Sequence, residues 1–125
     1  ALRAQELMQE RDIIGHVRAI SPQFKARIAR LSKFDFIGNE RAVGLIGAIE
    51  LAVNSDDHKK FDPSHQIARQ AVSIIQKHGV ILRALPGDII GFCPPLIISE
   101  AEIDDMFDRI ESGLVEVDKL AASLR

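Results

Sequence analysis

Residues 79–111, GVILRALPGDIIGFCPPLIISEAEIDDMFDRIE, constrain the fold more than any other part of the sequence. Two short apolar runs, 80–85 and 89–93, are separated by a turn that contains a Pro-Gly pair, which is a strong turn signal. This pattern predicts an antiparallel hairpin. Pro94 and Pro95 lack the amide hydrogen that strand pairing needs, so we expect the sheet to end there.

The segment after the two prolines has the features of a long helix. Ser99 and Glu102 form a capping box, in which the serine oxygen accepts an amide of the first turn and the glutamate reaches back to the serine amide. The helix is predicted to run from about residue 100 to residue 124. Its apolar residues recur at spacings of 4, 3, 4 and 3: Ile103, Phe107, Ile110, Leu114 and Val117.

The N-terminal part of the chain predicts two amphipathic helices. Leu7, Ile14 and Val17 recur at helical spacing between residue 2 and about residue 20. Ser21-Pro22 is typical of a new helix start, with the serine as N-cap and the proline at the first helical position. The second helix is expected to point Phe24, Ile28 and Leu31 towards the core and Lys25, Arg27 and Arg30 towards solvent.

The middle of the chain changes its hydrophobic period. Residues 43–53 alternate, which predicts one strand, and the polar residues 54–60 are typical of an exposed loop. Asp62-Pro63 predicts the start of a third helix, which Gly79 ends because glycine adopts positive φ easily. The predicted order is helix, helix, strand, helix, strand, strand, helix. It indicates an α+β fold with a small, mainly antiparallel sheet covered by helices on one side.

Length, charge and cysteine content narrow the class of protein. A chain of 125 residues with 46% hydrophobic content is expected to form a single domain, residues 1–125. A net charge of −2 attracts neither nucleic acid nor an anionic membrane, and no apolar run is long enough to span a bilayer. One cysteine favours a reducing cytoplasm. Ala1 is neither an initiator methionine nor a helix cap, which predicts a fragment, a tagged protein or a processed product.

Most residues with catalytic potential have a structural interpretation. Cys93 lies in an apolar strand and is expected to pack in the core. Glu50 interrupts an apolar strand and is expected on an exposed sheet face or edge. Gly44 and Gly47 lack the spacing of a phosphate-binding loop and are expected to allow close backbone approach. The histidines lack metal-ligand spacing: His16, His58, His65 and His78. Four acidic residues are expected to stabilise the start of the last helix: Glu100, Glu102, Asp104 and Asp105.

Arg83 differs from these residues because it lies in a predicted strand beside a turn. A guanidinium there presents a planar fork that can bind a carboxylate through two parallel hydrogen bonds. The alternative is a surface arginine whose aliphatic stem packs on the sheet. From the residues alone, both interpretations stay open.

The segment GVILRALPGDIIGFCPPLIISEAEIDDMFDRIESGL closely resembles the C-terminal end of class III, or omega, aminotransferases, which depend on pyridoxal phosphate. Three further segments are similar to the same family in the same order: VRAISPQFKARIARLS, FIGNERAVGLIGAIELA and FDPSHQIARQAVSIIQKHG. The second of these resembles the family's VGEVRGxGLxxAIEL strand region. The resemblance covers nearly the whole chain.

The resemblance implies the small C-terminal domain of a longer, fold-type I pyridoxal-phosphate enzyme. A large domain would carry the lysine that binds pyridoxal phosphate, and a homodimer partner is implied as well. No lysine of this chain matches the family's lysine segment, so we expect no catalytic, cofactor-binding or metal-binding residue here and no activity of the fragment alone. The parent enzyme is expected to transfer an amino group from an omega-amino acid or amine to a keto acid such as pyruvate.

Within this resemblance, Arg83 matches the arginine that binds the substrate carboxylate and can swing outward for an apolar substrate. The family's usual turn is R-x-L-G-D, and residues 83–88 of this chain are one residue longer. Arg41 matches the VRG arginine, for which a structural role is expected. The alternative interpretation is a free-standing α+β module that binds a ligand or a partner without catalysis.

Overall fold

A computed structural model describes the whole chain, residues 1–125. Two short 3₁₀ turns, Leu31–Lys33 and Pro63–His65, accompany the regular elements. These elements are α1 (Leu2–Glu10), α2 (Ile13–Arg30), β1 (Ile37–Val43), β2 (Ile46–Leu51), α3 (Ile67–Lys77), β3 (Arg83–Leu85), β4 (Ile89–Phe92) and α4 (Glu100–Leu124).

The four strands form one antiparallel sheet in the order β1-β2-β4-β3. Its inner face packs on the helices, since Ile49 of β2 and Ile90 of β4 are fully buried in the hydrophobic core. Three phenyl rings join α2, α4 and β4: Phe107 lies 5.6 Å from Phe24 and 6.0 Å from Phe92, measured between ring centroids. The predicted α+β fold, with helices on one side of an antiparallel sheet, is confirmed.

The prediction of one strand over residues 43–53 is wrong. The chain forms a hairpin, in which β1 ends at Val43, Gly44 and Leu45 make the turn, and β2 begins at Ile46. Gly44 has φ of +59°, the left-handed conformation that a two-residue hairpin turn with glycine in first place requires. The apolar alternation continues through Leu45, which is buried at the turn. The hydrophobic pattern therefore does not show where the chain reverses direction.

Gly47 allows close approach between the sheet and α2, as predicted. A β-carbon at this position would lie only 2.1 Å from Ile28 Cδ1 and 3.3 Å from Phe24 Cε1. A larger residue would therefore displace at least the end of the Ile28 side chain. The same prediction for Gly44 is wrong, since a β-carbon there would meet only Val17 Cγ1, at 3.9 Å.

The predicted helix break at Ser21-Pro22 is also wrong, because α2 runs through both residues. The break lies at Asp12, which has φ of +45° and accepts the Gly15 amide at 3.3 Å as the N-cap of α2. Pro22 removes one helical hydrogen bond, the one that an amide at residue 22 would donate to the Arg18 carbonyl oxygen. The Ser21 hydroxyl donates to a different acceptor, the Val17 carbonyl oxygen one turn before it. The apolar stripe of Ile20, Phe24 and Ile28 is buried on both sides of the proline and keeps the helix continuous.

Helix α3 starts later than predicted. Asp62 caps the 3₁₀ turn Pro63–His65, accepting the Ser64 amide at 2.9 Å, and Gln66 then takes a left-handed conformation with φ of +47° before the helix begins. At the other end, Gly79 has φ of +96°, as predicted for the residue that ends this helix.

Helix α4 has the predicted bounds and the predicted cap. The Ser99 hydroxyl accepts the Glu102 amide at 3.1 Å, and the Glu102 carboxylate accepts the Ser99 amide at 3.1 Å. All five residues of the predicted apolar stripe are fully buried. Neither α4 nor any other helix is both long enough and apolar enough to cross a lipid bilayer.

Arg27 is buried, and its predicted orientation towards solvent is wrong. It is 7% exposed, donates to Asp104 at 2.9 Å and to Asp108 at 2.7 Å, and lies over the Phe107 ring. Burial alone would lower the pKa of Arg27, but the hydrogen bonds to Asp108 and Asp104 outweigh it and raise the pKa above its ordinary value. The guanidinium therefore joins α2 to α4 as a permanent charge.

Candidate functional site

The sheet face turned away from the helices carries the candidate site. Strand pairing places Arg41, Ala48, Gly91 and Arg83 in one row across β1, β2, β4 and β3. The two central residues have small side chains or none, and a groove of about 390 Å³ lies over them, with an arginine at each end. We call this the arginine groove.

Apolar side chains form much of the wall of the arginine groove. Val43, Ile46, Leu85 and Cys93 line it, and Val43 and Ile46 are 84% and 65% exposed. The prediction that Cys93 packs in the core is wrong. Side chains alternate along β4, and Phe92 points inward. Cys93, the next residue, therefore points outward, and its thiol is exposed.

The two arginines of the groove differ in their partners. Arg41 Nη1 donates to Glu50 Oε1 at 2.6 Å, and Lys60 Nζ donates to Glu50 Oε2 at 3.1 Å. These hydrogen bonds, first from Arg41 and then from Lys60, hold the pKa of Glu50 below its ordinary value. The Arg83 side chain is exposed and makes no hydrogen bond or ion pair in the chain. Arg83 is therefore the arginine of the groove whose donors are free to bind a ligand.

Glu50 and Arg41 fit the roles expected of them. Glu50 lies on the outer sheet face, where its side chain is 26% exposed, and its pairing with Arg41 joins β1 to β2. The Arg41 charge is neutralised by this pairing, so a structural role suits it better than ligand binding.

An unpaired guanidinium beside an apolar wall can recognise a carboxylate attached to a short hydrocarbon. The planar fork of Arg83 supplies two parallel donors, and a carboxylate supplies two matching acceptors. The neighbouring apolar side chains of the groove would contact the hydrocarbon part of such a ligand. The residues that line the arginine groove could therefore bind a carboxylate with an apolar tail.

The extra residue between Arg83 and Asp88 is accommodated in the turn. Arg83 pairs with Gly91, and Leu85 pairs with Ile89, which leaves Pro86, Gly87 and Asp88 as a three-residue connection. Gly87 has φ of +85° and Asp88 has φ of +57°, and a left-handed residue at the end of such a turn restores the strand register. Arg83 thus stays on the outer face, although β3 is shorter than predicted and begins at this residue.

The other predicted candidates lie apart from the groove. His16 contacts the Ile98 carbonyl oxygen at 2.7 Å, and His78 contacts Glu116 at 3.1 Å. Glu100 and Glu102 lie in the first turn of α4, as predicted, whereas Asp104 binds Arg27. Nowhere in the chain do three His, Cys, Asp or Glu residues come together in an arrangement that could hold a metal ion.

Sequence reasoning missed Lys60 and Asp88, which both hold the turn beside Arg83. Lys60 donates to the Gly87 carbonyl oxygen at 3.3 Å, and the Asp88 carboxylate accepts the Ala68 amide of α3 at 3.4 Å. Each contact joins residues at least 20 positions apart in the sequence, so no local sequence pattern predicts it.

Comparison with known proteins identifies the family of the chain. The family profile of class III aminotransferases matches residues 1–114. The chain belongs to the class III aminotransferase family.

Three individual proteins illustrate the relationship. A probable gamma-aminobutyrate transaminase 2, mitochondrial, of Oryza sativa subsp. japonica is 33% identical over 125 residues, which are all of this chain and 25% of the relative. The crystal structure of an omega-transferase from Vibrio fluvialis JS17 has a TM-score of 0.91 at 28% identity, covering 97% of this chain and 28% of that one. A PLP-bound aminotransferase mutant from Vibrio fluvialis has a TM-score of 0.89 at 27% identity, covering 99% of this chain and 26% of that one. The chain thus spans about a quarter of the length of these relatives.

Proposed function

We propose that this chain is the C-terminal small domain of a longer class III aminotransferase. The parent enzyme transfers an amino group from an omega-amino acid or amine to a keto acid such as pyruvate. Membership of the family and the likeness to an omega-transferase support this proposal. The alternative of a free-standing binding module gains no support from the comparisons.

Arg83 is the substrate-binding residue in this proposal. The observation that carries it is the unpaired guanidinium on an open sheet face, at the opposite end of the groove from an arginine that is already neutralised by Glu50. Arg83 binds the substrate carboxylate, and the apolar wall of the groove contacts the rest of the substrate.

The proposed cofactor is pyridoxal phosphate, held by the large domain of the parent enzyme. When bound, this cofactor supplies the electron sink for amino-group transfer, through a bond to a lysine. The residues of the arginine groove do not fit that role, because none of them is a lysine. In this proposal the fragment alone is inactive and contributes the carboxylate-binding arginine to a site completed by other parts of the enzyme.

The proposed partners of the outer sheet face are the large domain and the homodimer partner of the parent enzyme. Val43, Ile46 and Ile81 are 65–84% exposed, and a large apolar patch on a protein surface usually marks an interface. A net charge of −2 argues against nucleic acid as a partner. The exposed, unpaired Cys93 suits a reducing compartment, and we assign the enzyme to the cytoplasm.

The test of Arg83 uses the full-length enzyme in single-turnover half-reactions, one with an omega-amino acid and one with an uncharged amine. We expect Arg83→Ala to lower kcat/KM about tenfold to a hundredfold for the omega-amino acid, because charge-assisted hydrogen bonds contribute about 1.5–3 kcal/mol. Turnover of the uncharged amine should be unchanged. Arg83→Lys, which keeps the charge and loses the fork, should fall between wild type and Arg83→Ala.

Arg18→Ala is the matched control, since Arg18 is exposed on α2, far along the chain from the groove, and should behave as wild type. An equal loss for both amines after Arg83→Ala would contradict the carboxylate-binding role.

A further inference from the structure

Asp88 connects the turn after Arg83 to the start of α3. Its Oδ1 accepts the backbone amide of Ala68 at 3.4 Å in a partly buried contact. The N-cap residue of α3, Gln66, makes no side-chain capping bond of its own. Asp88 therefore supplies, from a distant turn, the carboxylate that a helix N-terminus prefers.

The same turn has two further anchors. The Asp88 carbonyl oxygen accepts the Leu51 amide at 2.8 Å, next to the paired part of β2. Lys60 Nζ bridges the Gly87 carbonyl oxygen at 3.3 Å and the Glu50 carboxylate at 3.1 Å. The turn is thus held to β2, to the loop before α3 and to α3 itself.

Arg83 depends on this turn more than most strand residues do. Strand β3 has only three residues, Arg83–Leu85, and pairs on one side only, with β4. Such a short edge strand has few hydrogen bonds of its own, so its direction follows from the turn that joins it to β4. The connection has three residues, Pro86 to Asp88, and a turn of this length needs restraint to hold one conformation.

We propose that Asp88 is a positioning residue for Arg83. The proposal rests on the function proposed for Arg83. Asp88 does not touch the substrate. It holds the β3–β4 turn against α3, and this contact sets the direction in which the Arg83 guanidinium leaves the sheet. Lys60 supports the same turn through its contact with Gly87.

The experiment compares Asp88→Asn with Asp88→Gly in the full-length enzyme. Asparagine and glycine both tolerate the positive φ at position 88, but only asparagine keeps a side-chain oxygen that can accept the Ala68 amide. The measured quantity is the ratio of KM for an omega-amino acid to KM for an uncharged amine, in separate half-reactions. We expect this ratio to rise about fivefold in Asp88→Gly and to stay within about twofold of wild type in Asp88→Asn.

A merely structural role predicts a different result, in which both KM values change together or neither changes. Either outcome would overturn the proposal. Lys60→Met supplies a second variant if Asp88→Gly yields little folded enzyme, and it should raise the same ratio in the same direction. An unchanged ratio in that variant would also count against the proposal. If Arg83 does not bind the substrate carboxylate, Arg83→Ala alone will leave the ratio of the two KM values unchanged. That result distinguishes failure of the Arg83 proposal from failure of the Asp88 proposal.

Discussion

Glu50 neutralises one of the two arginines of the groove. Its carboxylate accepts hydrogen bonds from Arg41 and Lys60, whereas the Arg83 side chain forms no ion pair. A carboxylate in an apolar strand usually signals an exposed face, and that inference was correct. The identity of its partners was not accessible from spacing, because Lys60 reaches Glu50 from a loop.

The pairing of Glu50 predicts a defined dependence of stability on pH. Because its folded pKa lies below the ordinary value of 4.5, the ion pairs stabilise the fold above that value and are lost as the pH falls through the folded pKa. The difference in unfolding free energy between wild type and Glu50→Gln should be constant near neutral pH and should shrink below about pH 4.5. Urea unfolding at a series of pH values measures this difference.

The control is Asp118→Asn, which removes an exposed carboxylate of α4 that contacts no cation. Its free energy of unfolding at neutral pH should stay close to that of wild type. A difference for Glu50→Gln that grows as the pH falls would contradict the assigned role.

At the scale of single elements, α4 is the part most completely encoded by local sequence. Its cap, its bounds and its buried stripe are all properties of nearby residues, and each agrees with prediction. The β1–β2 hairpin is the opposite case. Its turn is Gly44-Leu45, and a buried leucine at a turn does not have the polar signature by which turns are recognised.

The cap of α4 leads to a stability prediction. Ser99→Ala removes the acceptor for the Glu102 amide and should lower the free energy of unfolding by about 1 kcal/mol. Urea unfolding of the 125-residue chain, followed by far-UV circular dichroism because the chain has no Trp or Tyr, measures the loss.

Ser112→Ala is the matched control in the same helix. Ser112 is exposed in the interior of α4, where alanine has the higher helix propensity, so stability should stay equal or rise by up to about 0.5 kcal/mol. Equal losses for the two variants would mean that the cap contributes nothing specific.

At the scale of the whole molecule, α2 and α4 are joined by a charged contact as well as by the aromatic core. Arg27 is almost fully buried between them, while Asp104 and Asp108 stay 55% and 69% exposed. The two carboxylates stay largely hydrated, so the desolvation cost falls mainly on the Arg27 guanidinium, where the hydrogen bonds to Asp108 and Asp104 offset it. The contact therefore stabilises the packing of the two helices.

Removal of this contact should destabilise the fold measurably. Arg27→Ala loses two charge-assisted hydrogen bonds and uncovers one face of Phe107, and we expect a loss of about 2–3 kcal/mol in urea unfolding. Arg30→Ala removes a neighbouring arginine that is 55% exposed, and its loss should be below about 1 kcal/mol. Similar losses for both would show that burial of Arg27 adds no stability.

The burial of Arg27 could have been predicted from the sequence. Phe24, Arg27, Ile28 and Leu31 share one helical face, and this spacing indicates burial when the arginine is not assumed to be exposed. The continuity of α2 through Pro22 could not have been predicted from the sequence. It depends on core packing of Ile20 and Phe24 on either side, which outweighs one lost hydrogen bond.

Local sequence determined the features that depend on neighbouring residues: the fold class, the long final helix, the hairpin beside Arg83 and the end of the sheet at the two prolines. Caps, turns and apolar periods act over a few residues, so they can be interpreted without the fold. Tertiary structure decided that Arg83 rather than Arg41 has a free side chain, that Cys93 lies on the exposed face of the sheet, and which contacts hold the β3–β4 turn. Those properties depend on contacts between residues far apart in the chain, such as Lys60 with Gly87 and Asp88 with Ala68, which only the packed sheet and helices bring together.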